Sequence, residues 1–239
     1  MNTVKFNKRS TQIIAHRGLS GLETENTASA FVAAGNRSYY GMETDIHKTA
    51  DGDFILCHDE NLARVAGEDI SVEKTSKNLL RSIVLFGNDG TKDREDIRLC
   101  TLENYLSIVK KYEKHAVLEL KSDFSEEEIL KIIEIIKGFD YLDNLTFISF
   151  NYENLLKVRK ILPHQSAQYL FWKITEEELT RLKADRIDVD VWCKELTKEQ
   201  IQLAHSYGLR VNCWTVNDPQ QAELLAEWGI DFITSNILE

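Results

Sequence analysis

Eight short apolar runs recur along this chain, and most are followed by an amphipathic segment with its own start and stop signals. Short apolar runs bounded by turn residues and rich in β-branched side chains are typical of buried strands. Strands that alternate with helices predict a parallel sheet, because each crossover returns the chain to the same edge. The predicted strands are 11–16, 42–47, 116–121, 145–150, 165–171, 187–193, 210–216 and 232–235.

The segments between these strands carry residues that begin helices. Capping boxes are predicted at 125–128 and 175–178, and a glutamine version at 197–200. Asp218-Pro219 places an N-cap residue directly before a proline at the first helical position. The sequence therefore predicts both the strand and the helix of a repeated strand–helix unit.

With eight such units in 239 residues, the sequence predicts a (β/α)8 TIM barrel formed by one domain, 1–239. The open doubly wound sheet is the alternative, but Gly18 and Gly21 do not complete its glycine-rich phosphate loop. After the second strand, Asp51-Gly52 predicts a hairpin turn with a return strand over 54–58. The polar stretch 60–98 is predicted to be a small insertion over one end of the barrel and a candidate lid.

Acidic side chains lie at the carboxyl ends of two predicted strands, where active sites of such barrels are built. Strand alternation makes Glu43 and Asp45 project together, and Glu119 shares a face with Lys121. Three carboxylates that point into one barrel repel each other and lose hydration unless a cation compensates them. Glu43, Asp45 and Glu119 are therefore predicted ligands of one hard divalent cation, Mg²⁺ or Ca²⁺, with Mn²⁺ as a further candidate.

Two histidines accompany these carboxylates. His16 ends the first predicted strand and His58 ends the return strand of the hairpin, so the two are candidates for a general acid and a general base. Arg17 and Lys121 add positive charge for an anion. A metal, two cationic side chains and a histidine pair together indicate the hydrolysis of a phosphoric ester. Trp214 is predicted to face inward and to line the substrate cleft.

Composition narrows the function further. The formal net charge is −10, which offers no basic surface for nucleic acid or anionic lipid. No run of about 18 apolar residues indicates a membrane-spanning helix, and the first residues lack the apolar stretch of a secretory signal. Four widely spaced cysteines suggest a reduced, cytoplasmic protein. The sequence predicts a small-molecule substrate, no nucleic acid and no membrane insertion, and it leaves the oligomeric state open.

Several short motifs, taken in order and spacing, resemble the glycerophosphodiester phosphodiesterase family over nearly the whole chain. The motifs are His16-Arg17-Gly18, Glu25-Asn26-Thr27, Glu43-Thr44-Asp45, Asp51-Gly52, His58-Asp59, Glu119-Leu120-Lys121 and Trp214-Thr215-Val216-Asn217. The resemblance implies a TIM-barrel enzyme that hydrolyses glycerophosphodiesters to glycerol phosphate and an alcohol with a divalent metal.

By matching position, the resemblance implies that His16 and His58 are the acid–base pair and that Arg17 and Lys121 contact phosphate. The implied metal ligands are Glu43, Asp45 and Glu119. Two departures from the family pattern stand out. Thr24 replaces a usual proline, which is expected to leave its loop less rigid. The last strand ends in 234–236, Thr-Ser-Asn, where the family usually has Thr-Asp. Neither departure is expected to touch the metal ligands, and both bear on substrate choice.

Two rival hypotheses accompany this reading. A related barrel phospholipase would keep the histidines and the metal but act on lipid phosphodiesters, and it should show an apolar or basic docking surface. A catalytically silent barrel would only bind phosphorylated ligands. Retention of both histidines and all three carboxylates favours an enzyme over such a binder.

Overall fold

The computed structural model describes residues 2–239, and these residues form nine strands. Eight of them run parallel in the barrel, and β3 is the return strand of the hairpin. The strands are β1 (Gln12–Ala15), β2 (Gly41–Lys48), β3 (Phe54–Leu56), β4 (His115–Leu120), β5 (Leu145–Ser149), β6 (Ser166–Phe171), β7 (Asp188–Trp192), β8 (Val211–Trp214) and β9 (Phe232–Ser235).

The sheet closes on itself. Its strand order is β1-β9-β8-β7-β6-β5-β4-β2, and a pairing between β1 and β2 completes the circle. All eight predicted barrel strands are found, with ends that differ by at most two residues. The predicted (β/α)8 barrel is therefore confirmed, and the open sheet is wrong for this chain.

Helices connect the strands on the outside of the barrel. They are α1 (Ala28–Gly35), α2 (Ala63–Ala66), α3 (Lys77–Ser82), α4 (Leu102–Lys111), α5 (Glu126–Gly138), α6 (Tyr152–Ile161), α7 (Glu176–Asp185), α8 (Lys198–Ser206) and α9 (Pro219–Glu227). The capping boxes that begin α5 and α8 are formed as predicted. At α7 only half of the box forms: Thr175 caps the helix, but the carboxylate of Glu178 pairs with Arg181 instead.

Most of the hydrophobic core lies between the strands and the surrounding helices. Inside the barrel a smaller apolar group fills the centre. It consists of Ile14, Val117, Ile148, Leu170 and Phe232. Because this plug closes the barrel interior, the polar side chains at the carboxyl ends of the strands stand on an apolar layer.

The stretch 60–98 is ordered and has its own apolar core. It contains α2, α3 and a 3₁₀ turn (Val72–Lys74), packed on the hairpin strand β3. The hydroxyl of Thr24 donates a hydrogen bond of 2.8 Å to the carbonyl of Phe86, which ties the loop after β1 to this insertion. Within residues 2–239, no helix is long and apolar enough to cross a membrane.

Candidate active site

A cavity of about 120 Å³ opens at the carboxyl ends of the barrel strands. It brings together residues from β1, β2, the hairpin and β4 through β9. Its lining residues are His16, Arg17, Glu43, His58, Glu119, Ile148, Phe150, Leu170, Asp190, Trp214, Thr215 and Thr234. A larger surface groove of about 680 Å³ between α1 and the insertion contains none of the predicted site residues. The smaller cavity therefore contains six of the eight predicted site residues, and the other two, Asp45 and Lys121, lie beside Glu119.

The three predicted carboxylates meet in one place. Glu43 and Asp45 project from the same face of β2, and Asp45 is paired in register with Glu119 on β4. Each offers an oxygen, and these oxygens all lie within 4.8 Å of one another. Ligands on opposite sides of Mg²⁺ or Ca²⁺ are about 4 to 5 Å apart, since each lies about 2.0–2.6 Å from the ion. The spacing of the three side chains fits a single divalent cation.

Two oxygens of this carboxylate cluster form no hydrogen bond. Oε1 of Glu43 and Oδ1 of Asp45 are buried without a hydrogen-bond partner. Buried carboxylate oxygens normally have a partner, because their lost hydration is costly. Oxygen donors that are free, buried and close together suit a hard cation, so the residues present fit the metal that the sequence predicts.

The pKa values of the three carboxyls are shifted, and these groups are buried close to one another. Burial raises the pKa of Glu43 well above its usual value, and the neighbouring Asp45 and Glu119 add to the rise. Burial and the charge of Asp45 likewise raise the pKa of Glu119 to about 7. Asp45 differs, because Arg17 and other positive groups outweigh burial and lower its pKa. Without a cation, one charge is stable in the cluster and the other two carboxyls resist ionisation.

The loop after β1 organises the cluster. Arg17 donates its backbone N–H to Glu43 Oε2 at 2.7 Å, and its Nε lies 3.5 Å from Asp45 Oδ2. Asn26 donates from Nδ2 to the same Asp45 oxygen at 2.8 Å and accepts from Thr44 at 2.7 Å. Both Arg17 and Asn26 have φ of 55°, a left-handed conformation that costs energy in non-glycine residues. The loop thus holds Arg17 and Asn26 in a strained backbone conformation, in which their N–H groups face the carboxylates.

Lys121 is the second cation of the site. Its Nζ lies 3.0 Å from Glu119 Oε1 and 3.9 Å from Asp45 Oδ1. Burial works against its charge, but Glu119 and Asp45 raise the pKa of Lys121 above its usual value. The ammonium group is therefore held in its charged form beside the carboxylates.

His16 lies on the β1 side of the cavity. Its Nδ1 is 2.7 Å from Oδ1 of Asn236, and its Nε2 is 4.0 Å from Glu43 Oε2. Burial, followed by the charge of Arg17, lowers the pKa of His16 to about 4. The imidazole is neutral at pH 7, with one nitrogen fixed by an amide oxygen and the other directed toward the carboxylates.

His58 lies at the other edge of the cavity, after β3. Its Nδ1 is 2.6 Å from Oδ1 of Asp59, and Asp59 Oδ2 accepts from Nε of Arg64 at 2.7 Å. Arg64 also binds Glu25 through two hydrogen bonds of 2.7 and 2.8 Å. Burial, together with the charges of Arg17 and Lys121, lowers the pKa of His58, although Asp45 and Asp59 act in the opposite direction. The insertion thus reaches the site through Arg64.

Two aromatic side chains, Phe150 and Trp214, line the cavity, and two further tryptophans pack beside them. Phe150, Trp172, Trp192 and Trp214 contact one another with ring centroids 5.3–5.8 Å apart, and we call them the aromatic cluster. Trp172 is 59% exposed and Phe150 38% exposed. Trp214 lines the cavity as predicted, and its indole Nε1 is buried without a partner.

At the two departures from the family pattern, Asn236 binds the ring of His16, and Thr24 anchors the loop that carries Arg17 and Asn26. Neither side chain forms a hydrogen bond with a predicted metal ligand. Sequence reasoning also gave no role to Asp59 or Asp190. The first was adjacent to a predicted site residue, and the second is one of two alternating aspartates in a buried strand, so a signal existed for both.

This (β/α)8 barrel has three clustered carboxylates and two imidazoles at one mouth, the groups that metal-assisted hydrolysis of a phosphoric diester uses, and its homologues are phosphoric diester hydrolases. The chain belongs to the glycerophosphoryl diester phosphodiesterase family, whose family model matches residues 16–238.

Individual relatives cover the chain almost completely. A glycerophosphodiester phosphodiesterase of Caldanaerobacter subterraneus subsp. tengcongensis is 26% identical over 236 residues, covering 95% of this chain and 94% of that protein. The structure of an Oleispira antarctica phosphodiesterase in complex with the product sn-glycerol-3-phosphate matches with a TM-score of 0.88 and 26% identity, over 98% of this chain and 96% of that one. A Parabacteroides distasonis glycerophosphodiester phosphodiesterase matches with a TM-score of 0.80 and 26% identity, over 95% and 93% of the two chains.

Proposed function

We propose that this chain hydrolyses glycerophosphodiesters to glycerol 3-phosphate and an alcohol, with a divalent cation and the pair His16 and His58. The observation that carries the proposal is the meeting of three buried carboxylates, with oxygens within 4.8 Å, in a cavity that both histidines line. The Oleispira antarctica structure with sn-glycerol-3-phosphate supports the choice of product.

Glu43, Asp45 and Glu119 would hold the cation, which we propose to be Mg²⁺, Ca²⁺ or Mn²⁺. When bound, such an ion neutralises charge on the phosphoryl oxygens as a Lewis acid. The carboxylates have two unused buried oxygens for this purpose. Oxygen ligands with no histidine or cysteine among them favour these hard ions over zinc.

Arg17 and Lys121 bind the phosphodiester. Both side chains lie beside the carboxylates, and both remain charged because the acidic neighbours raise their pKa. Arg17 offers a planar fork of N–H donors, one of which, Nε, is buried without a hydrogen-bond partner. Lys121 supplies a point charge at the other side of the cluster. Donors fixed before the substrate arrives stabilise the charge that develops in the transition state.

His16 acts as the general base. The amide oxygen of Asn236 accepts a hydrogen bond from Nδ1–H, which leaves the lone pair on Nε2. A neutral imidazole with a free Nε2 can take the proton of the attacking oxygen, which is either a water or the neighbouring hydroxyl of the substrate. The second route would give a cyclic phosphate first.

His58 acts as the general acid. The Asp59 carboxylate accepts from Nδ1–H and favours the imidazolium form, so Nε2 can protonate the leaving alkoxide. The link from Asp59 through Arg64 to Glu25 holds this arrangement in place. The two histidines differ in their partners, an amide and a carboxylate, and this difference assigns their roles in the proposal.

A second candidate function is the hydrolysis of lipid phosphodiesters. The aromatic cluster favours it, because Trp172 and Phe150 expose an apolar surface next to the cavity. Comparing glycerophosphoethanolamine with its 1-acyl derivative separates the two activities. If the acyl derivative has the higher kcat/KM, and Trp172→Ala removes that advantage, the lipid function is the correct one.

The architecture around the site also belongs to the proposal. We take 1–239 as one domain, in which 60–98 covers one side of the cavity as a lid through Arg64. The four cysteines are free and buried, as expected in the cytoplasm, where we place the enzyme.

A panel of glycerophosphodiesters with coupled detection of glycerol 3-phosphate tests the proposed function. We expect turnover by the wild-type chain with Mg²⁺, Ca²⁺ or Mn²⁺, and a loss of at least 100-fold in His16→Ala and in His58→Ala. His164→Ala, an exposed histidine far from the cavity, is the matched control. No turnover by the wild-type chain on any member of the panel would favour the silent barrel.

A further inference from the structure

A fourth carboxyl lies in the cavity, and the mechanism does not use it. Asp190 on β7 is 1% exposed and lines the cavity one layer below Trp192 and Trp214, since Asp190 pairs with Asn212 and Trp192 with Trp214. It is not part of the cluster of oxygens that fits the cation.

One oxygen of Asp190 lacks a partner, because Oδ1 is buried without a hydrogen bond. The neighbouring amide of Asn212 lowers the pKa of Asp190, but this amide and the hydroxyl of Thr234 are hydrogen-bonded to each other, at 3.0 and 3.3 Å. A buried carboxyl oxygen without a partner is destabilising, so a partner for Oδ1 should come from the cavity.

The charge of a ligand group determines how well it can pair with Asp190, and three kinds of group can be compared. A phosphate group would be repelled by a carboxylate and is already served by Arg17 and Lys121 on the other side of the cavity. An ammonium group pairs best with an ionised Asp190, and burial opposes that form because it raises the pKa of this carboxyl well above its usual value. A hydroxyl suits both forms, because it accepts from a protonated carboxyl and donates to an ionised one.

We propose that Asp190 is a specificity-determining residue that binds a hydroxyl group of the substrate's glycerol moiety. The inference rests on the proposed function and adds an orientation: the phosphate faces the carboxylate cluster and the polyol faces β7. A site built to hydrogen-bond a hydroxyl discriminates against ligands that lack it, because its own polar group is then left unpaired.

Ligand binding, measured by calorimetry in the presence of Mg²⁺, tests this inference independently of turnover. The ligands are sn-glycerol 3-phosphate, its analogue with a methyl in place of the terminal hydroxymethyl, phosphoethanolamine and inorganic phosphate. We expect Asp190→Ala to weaken glycerol 3-phosphate binding about 10- to 100-fold and to change phosphate binding less than threefold. Asp190→Asn, whose amide also pairs with a hydroxyl, should restore most of the affinity. Asp188→Asn, on the same strand at the other end of the barrel, is the control.

Three results would overturn the inference: an equal loss for glycerol 3-phosphate and phosphate, no loss for either, or a loss confined to phosphoethanolamine. If Asp190→Ala does not fold, the test uses Asp190→Asn and the wild-type chain. The inference then requires that the wild-type chain binds glycerol 3-phosphate at least tenfold more tightly than inorganic phosphate. A wild-type chain that hydrolyses glycerophosphodiesters, combined with any of these results, contradicts the role of Asp190 alone. A wild-type chain that neither hydrolyses them nor binds glycerol 3-phosphate contradicts the proposed function as well.

Discussion

Nδ1 of His58 lies 2.6 Å from Oδ1 of Asp59. A carboxylate in this position fixes the tautomer of the ring and stabilises its protonated form. The other cavity histidine has no such partner, because its Nδ1 faces an amide oxygen. This difference between two otherwise similar side chains leads to the first two predictions.

Asp59→Asn should reduce kcat by about tenfold to a hundredfold with little change in KM. A general acid must be protonated, so kcat falls as pH rises through its pKa. Asp59 raises the pKa of His58, and its neutralisation should move the basic limb of the kcat profile to lower pH. Stopped assays across pH 5–9 measure this, with the exposed Asp143→Asn as control. An unchanged basic limb would remove Asp59 from the mechanism.

Asn236→Asp should move the acidic limb of the pH–rate profile, whereas Asp59→Asn moves the basic limb. A carboxylate at 2.7 Å from His16 Nδ1 favours the imidazolium form and raises the pKa of His16 from about 4 by about a unit or more. A general base must be deprotonated, so the acidic limb of kcat/KM should move to higher pH. Asn36→Asp, on the exposed end of α1, should leave the profile unchanged. A shift of the basic limb instead would exchange the roles of the two histidines.

The carboxyl cluster should lower the stability of the metal-free protein as pH rises from about 5 to about 7, while His16, whose pKa is lowered to about 4 in the folded chain, contributes in the opposite direction. The pKa of Glu119 is about 7 in the folded chain and near 4.5 when unfolded, so the folded state binds more protons in this window. Glu43 acts in the same direction, whereas the contribution of Asp45 is already complete above its unfolded pKa of 3.8. The change is a few kcal/mol at most, since one pKa unit corresponds to about 1.4 kcal/mol.

Thermal unfolding in EDTA and in Mg²⁺ measures this effect. The stabilisation by Mg²⁺ should be larger at pH 8 than at pH 5.5, because protons compete for the same oxygens. Glu119→Gln removes one titrating carboxyl, so in EDTA its stability relative to the wild-type chain should increase as pH rises from 5 to 7. The same pH dependence of unfolding in both chains would show that Glu119 is not crowded in solution.

Lys121→Met should separate metal binding from turnover. Nζ of Lys121 lies 3.0 Å from Glu119 Oε1, so its removal takes a positive charge away from a metal ligand and should tighten Mg²⁺ binding. The same change removes a phosphate contact and should lower kcat/KM about tenfold or more. Calorimetry and steady-state kinetics measure the two effects, with the surface variant Lys131→Met as control. Weaker metal binding in Lys121→Met would assign the ammonium a structural role.

Much of this site could be predicted from the sequence, because strand alternation and the parallel barrel determine where its side chains lie. The two-residue period of a strand places Glu43 and Asp45 on one face, and the parallel barrel brings the ends of β2 and β4 to the same mouth. The predicted strands are found, and six of the predicted site residues line one cavity: His16, Arg17, Glu43, His58, Glu119 and Trp214.

The partners of the histidines depend on longer-range geometry. Asn236 reaches His16 only because β9 closes the barrel beside β1, and Arg64 reaches Asp59 and Glu25 only because the insertion packs on the hairpin. Neither contact has a local sequence pattern. The absence of a hydrogen bond at Oδ1 of Asp190 could not be predicted from the sequence either, because it depends on the hydrogen bonds that Asn212 and Thr234 form with each other.

Binding of Mn²⁺, followed by electron paramagnetic resonance, tests the central claim most directly. The account predicts one Mn²⁺ per chain, displaced by Mg²⁺ or Ca²⁺, and an affinity at least about tenfold weaker in Glu43→Gln and in Glu119→Gln. Glu126→Gln, at the exposed start of α5, should bind as the wild-type chain does. Equal Mn²⁺ binding by the wild-type chain and both cavity variants, or no bound Mn²⁺ at all, would contradict the account.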